Sequence, residues 1–183
     1  MSMMRALCRR TGVAGIAALA VLVGAAACAQ QVAPAAPAGP DANTLAQLAR
    51  TAGIQKCATA AGAVSPSMTG SGAEHGALLM AHPVAPDATM FGATIERTTE
   101  RGPSLVSAWF APTPRGNCDV GYDMIDVWPK ACQEVAREVF NHAAPLVGLG
   151  RSVGVIVLGA THHVYLIGTP SGCVSIRKEA LYP

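Results

Sequence analysis

Hydrophobic and polar positions recur along this chain with two periods, and the changes of period mark its elements. Between residues 90 and 98 they alternate strictly. Phe91, Ala93 and Ile95 fall on one phase, and Thr94, Glu96 and Thr98 on the other, as in a half-buried strand. Glu100-Arg101-Gly102-Pro103 makes a turn, and residues 105–111 read as the return strand, with Trp109 and Phe110 taken as core. Residues 112–117 form a second turn region and 120–127 a third strand. Trp128-Pro129 is a hinge, and Pro129 suits the first position of a helix. Cys132, Val135, Ala136, Val139, Phe140 and Ala143 then recur at helical spacing, opposite Lys130, Glu134, Arg137 and Glu138, until Pro145 ends the run. Residues 153–158 are apolar at every position but Gly154, the pattern of a central strand covered on both faces. Turns at 159–161 and 169–172 lead into strands at 162–167 and 173–178.

The N-terminal half is less regular. Thr44 and Gln47 fit a helix-capping box. Leu45, Leu48 and Ala52 share one face of the helix that follows, and Ile54, Cys57, Ala58 and Ala61 share another. Gly53 stands where the stripe changes sides, and Gly62 and Pro66 are expected to end the helix. Residues 64–88 read as a long Gly- and Pro-rich loop with one short apolar piece at 77–81, either one helical turn or a short strand. The order helix, three strands, helix, three strands predicts an α+β fold. The expected form is a single domain with a mainly antiparallel five- to six-stranded sheet, two helices packed on one face and two disulfides.

The first forty residues change the meaning of the composition. Arg5, Arg9 and Arg10 precede an uncharged Ala-, Val- and Leu-rich run that ends in small residues, the form of an export signal over residues 1–29. Ala25-Ala26-Ala27-Cys28 resembles a bacterial lipobox with Ala in place of the usual Leu, which implies Cys28 as the lipidated first residue. Cleavage before Gln30 is the competing expectation. Residues 30–40 are a Pro/Ala-rich tether, and 41–183 form the domain. The whole chain carries 13 basic and 11 acidic residues; without the three leader arginines, 10 basic residues face 11 acidic ones. That balance argues against nucleic acid or an anionic membrane surface as the partner, leaving membrane contact to an anchor or the signal segment.

Cys57, Cys118, Cys132 and Cys173 remain beyond the leader, an even number that implies two disulfides in an oxidising compartment. A straight strand at 120–127 would hold Cys118 and Cys132 about 25–30 Å apart, beyond the ~7 Å Cα limit of a bridge. A break at Gly121 would still allow Cys118–Cys132; with the strand unbroken, the preferred pairing is Cys57–Cys132 with Cys118–Cys173.

No residue set stands out as catalytic, metal-binding or cofactor-binding. Ser175 and Lys178 match an S-x-x-K string but would point to opposite faces of a strand. His162 and His163 would likewise diverge. Asp119 and Asp123 share a strand face, as an acidic strand edge does. The expectation is an exported envelope protein of the periplasm or outer membrane, or a secreted one. It would bind another envelope protein through Ser71, Glu74, His75 and His82 of the long loop and Glu100 and Arg101 of the hairpin tip. A hydrolase using the loop histidines with an aspartate, and a purely structural lipoprotein, are the rivals.

Overall fold

The computed structural model describes residues 37–38, 44–70 and 75–183. The export signal, Cys28, Ser71 and Glu74 lie outside them. The described residues form an α+β domain: one antiparallel sheet of eight strands, extended at its edge by a two-residue ninth, and three helices. In chain order the elements are β1 (Pro37–Ala38), α1 (Thr44–Thr51), α2 (Ala58–Thr69), β2 (His75–Met80), β3 (Phe91–Thr99), β4 (Gly102–Pro112), β5 (Cys118–Trp128), α3 (Cys132–Val139), β6 (Val147–Leu149), β7 (Val153–Val157), β8 (His162–Thr169) and β9 (Gly172–Leu181). The strand order is β1-β2-β3-β4-β5-β9-β8-β7-β6. The two halves of the chain thus meet along β5 and β9.

Three helices replace the expected two because Gly53, at φ +83°, breaks the first run at the point where its apolar stripe changes sides. The second segment does not stop at Gly62 or Pro66. It continues to Thr69 and buries Ala58, Ala61, Val64, Ser65 and Met68 on one face. The long loop expected at 64–88 is accordingly shorter: α2 takes its start and β2 its middle. The remainder is held to the α1–α2 turn by Asp87, whose carboxylate accepts the backbone N–H groups of Gln55 and Lys56 at 2.7 and 2.8 Å. Those two bonds, Lys56 first, hold the Asp87 carboxyl below its ordinary range.

All three helices lie on one face of the sheet. Phe91, Ala93 and Ile95 of β3 stand opposite Phe110, Ala108 and Val106 of β4, which stand opposite Val120, Tyr122 and Met124 of β5. This side packs on α1 and α2 and is buried, with Phe91 and Phe110 stacked at 4.7 Å. On the same side, Ile156, Val164, Leu166 and Trp128 make a second cluster with Val135 and Ala136 of α3. α3 is shorter than its apolar pattern. It ends at Val139, and Asn141 takes a left-handed φ of 51° while the His142 N–H turns back to the Ala136 carbonyl.

Each cluster has its own disulfide. Cys57–Cys118 ties the start of α2 to the start of β5, and Cys132–Cys173 ties α3 to the start of β9, with Cα separations of 5.5 and 5.0 Å. The expected pairing is corrected, and the sheet shows why. β5 runs unbroken from Cys118 to Trp128, and antiparallel β9 places Cys173 opposite Trp128. Cys118 and Cys173 therefore sit at opposite ends of a ladder about 33 Å long. Chain closeness is tightest at that far end. Gly172 has φ +149°, and a Cβ there would lie 2.0 Å from the Trp128 carbonyl oxygen.

Candidate functional site

The face of the sheet away from the helices has no second layer among the described residues. Strand pairing sets its composition, because every second residue points to it. One row across six strands reads Leu105, Ile125, Ile176, Tyr165, Val155 and Val147. The adjacent row reads Val127, Val174, Ile167, Val153 and Leu149. These eleven apolar side chains are contiguous and none is fully buried. Leu105, Val127, Val147 and Leu149 are 41%, 61%, 65% and 60% exposed. At about 4.8 Å per strand spacing the band is roughly 24 Å wide. Apolar rows of this continuity on a solvent-facing sheet mark an interaction surface more often than chance exposure does.

The band corrects one expectation. Residues 153–158 are not a strand covered on both faces. Ile156 is buried against the α3 cluster, but Val157 is 63% exposed on the open side. Trp109 is corrected likewise. Adjacent residues of a strand face opposite ways, so Phe110 takes the core and Trp109, 42% exposed, takes the open face.

Beyond the band the same face becomes polar. Asp123 and Lys178 stand opposite each other on β5 and β9, and the Lys178 ammonium donates to the carboxylate at 2.6 Å. His163 is the next residue in that row. Gly121 and Ala180, the two smallest side chains, are opposite each other one row further on.

The helix side carries a polar seam between the two apolar clusters. Arg97 reaches Asp126 at 3.8 Å and donates through Nε to the Ser104 hydroxyl at 3.2 Å. Tyr122, Glu179 and His162 form one row of it. The Tyr122 hydroxyl donates to the Glu179 carboxylate, and burial together with that bond pushes the phenol up to about 12. The Arg177 guanidinium lies 5.7 Å from the Phe140 ring. Ser175 is buried and accepts the Trp128 indole N–H at 2.8 Å, so it is well separated in direction from Lys178 on the open face.

The binding residues expected from sequence are dispersed. His75 is buried on β2 opposite Arg97, on the helix side. His82 is exposed beyond the strand, and its Nδ1 accepts the Val84 and Ala85 N–H groups at 3.2 and 3.0 Å. Glu100 and Arg101 form the β3–β4 turn, and the Arg101 guanidinium stacks 4.4 Å from the Trp128 ring. Asp119 and Asp123 lie on the open face, and His75 lies on the other. The sheet itself separates that histidine from both aspartates. Among the described residues no group of three or more His, Cys, Asp or Glu side chains is placed to hold a metal ion.

No family model, curated protein or solved structure matches this chain. The two disulfides are compatible with an oxidising, extracytoplasmic compartment. Among the described residues no helix is long and apolar enough to cross a membrane.

Proposed function

We propose that this chain is an exported bacterial cell-envelope protein, lipidated at Cys28, whose domain binds another envelope protein through the apolar band of its open sheet face. The observation that carries this is the pair of uninterrupted apolar rows, one from β4 and one from β5 to β6, on which no other described residue forms a layer. A doubly apolar strand such as β7 is what a sheet shows when both faces are covered. Here the chain covers one face, and the partner supplies the other cover. The chemistry of the band sets the chemistry of the partner. It carries no charged residue, so the matching surface is apolar and uncharged over a similar width, with polar groups kept to the rim. This favours a contact on the sheet over one on residues 64–88 or the hairpin tip, where His75 is buried and Arg101 stacks on Trp128. The leader, the lipobox resemblance and the Pro/Ala-rich tether support delivery to the envelope.

Site-specific photo-crosslinking in intact bacteria tests the proposal. A photoreactive amino acid at Leu105, Val127 or Val147 should give one adduct of discrete mass. The same group at Gln47 or Arg137, on the exposed sides of α1 and α3, should give none. Adducts from the helix positions alone would refute the assignment. An adduct of twice the chain mass would replace the second protein with a second copy.

A further inference from the structure

The polar half of the open face contains a shallow cavity of about 400 Å³. Its floor is Gly121 and Ala180, and a Cβ at Gly121 would meet nothing within 4 Å. Trp109 borders it from β4, directly opposite Gly121. The indole is held over Gly92, where a Cβ would come within 2.7 Å of its Cζ3, so the missing side chain on β3 gives the ring its seat. His163 and Tyr165 border it from β8, their rings 6.4 Å apart. Tyr182, 69% exposed, overhangs from beyond β9. The Asp123–Lys178 pair lies at its edge, both side chains in part open to solvent.

We propose that this cavity is a carbohydrate-binding site for an uncharged glycan, seated with a pyranose ring on the Gly121–Ala180 floor between Trp109 and Tyr182. The choice follows from the wall chemistry. Aromatic rings that carry polar tips favour ligands with an apolar face and a hydrophilic rim, as a pyranose has. The ion pair presents donors and an acceptor side by side. Its charges offset each other, so it can bond hydroxyl groups while offering little net attraction to an anion or a cation. The small floor residues leave a flat bed for a ring, and the volume lies within the range of small-ligand sites. The site and the apolar band share only Tyr165, at their border. Either can fail without the other, because the cavity is read with free sugars and the band with a crosslinked protein.

The test uses the mature protein and three probes: maltotriose, cellotriose and tri-N-acetylchitotriose, with tri-galacturonate as the charged control. The chain has two tryptophans, and Trp128 is buried, so a ligand in the cavity changes the emission of Trp109. At least one neutral trisaccharide should shift that emission saturably at millimolar concentration or below. Gly121→Leu fills the floor at a position with room for a side chain. It should weaken binding by at least about tenfold, with the melting temperature unchanged. Lys178→Met should weaken it as well, and Trp109→Phe should remove the optical signal while calorimetry still detects the sugar. No neutral glycan binding by calorimetry, unchanged affinity in Gly121→Leu, or tighter binding of tri-galacturonate than of all three neutral probes would each overturn the proposal.

Discussion

Removing one disulfide at a time should cost each half of the domain about the same. The two bridges close sequence separations of 61 and 41 residues. The chain-entropy relation assigns about 4.3 kcal/mol to the first and about 3.9 kcal/mol to the second at 25 °C. The loops share no residue, since one ends at Cys118 and the next begins at Cys132. Their losses should therefore add to about 8 kcal/mol in the variant lacking both, which approaches the whole stability of an ordinary domain. For a domain of this size each loss corresponds to roughly 10–15 °C in melting temperature. Cys57→Ala with Cys118→Ala, and Cys132→Ala with Cys173→Ala, should be compared by thermal and urea unfolding. Thiol titration of the unfolded protein adds a sharper check. In either double variant the surviving cysteines remain bonded to each other, so the number of free thiols should equal that of the wild type. Two extra free thiols in the Cys57/Cys118 variant would mean that Cys132 and Cys173 had lost their partners. That result would refute the observed pairing and the two-staple architecture built on it.

Gly172→Ala should destabilise the domain strongly, because its Cβ would meet the Trp128 carbonyl at 2.0 Å; Gly121→Ala, with open space, should leave the melting temperature unchanged within about 0.5 kcal/mol. The Tyr122 phenol is raised from 10.0 to about 12 by burial first and Glu179 second, so its contribution is intact below pH 10 and is lost as pH rises towards about 12; Tyr122→Phe should remove that loss and the latest component of the phenolate absorbance titration, and an identical alkaline profile in the variant would contradict it.

Much of the sheet was legible because alternation is a backbone property. β3 is displaced by one residue from the expected strand, β4 and β5 extend theirs by only a few residues, and the Glu100–Arg101 turn falls inside the expected one. α3 was legible from its stripe, but its end was not. Asn141 stops it before Pro145, a stop set by local backbone conformation rather than by hydrophobic period. β2 was legible only as an apolar piece that could be a helical turn or a short strand, because its outward residues, Leu78 and Met80, are as apolar as Ala77 and Leu79 and no alternation shows. The disulfide pairing depended on which strands neighbour which, and β9 beside β5 is a long-range fact that no local spacing encodes. The open-face site was half visible. The adjacency of Trp109 and Phe110 already requires one of them to leave the core. The apolar run at 153–158 already puts apolar side chains on both faces of its strand. That the helices share one face was expected; the strand order that lines the apolar side chains up in two rows on the other face was not legible.

The claim that matters most is that the band is covered in the cell and bare in isolation. Carbene footprinting of the same protein, purified and in intact envelopes, measures this directly. Leu105, Val127, Val147 and Leu149 should label readily in the purified protein and become protected in envelopes, while Gln47 and Arg137 label equally in both. Equal labelling of the band in the two preparations would contradict a docking surface on the open sheet face.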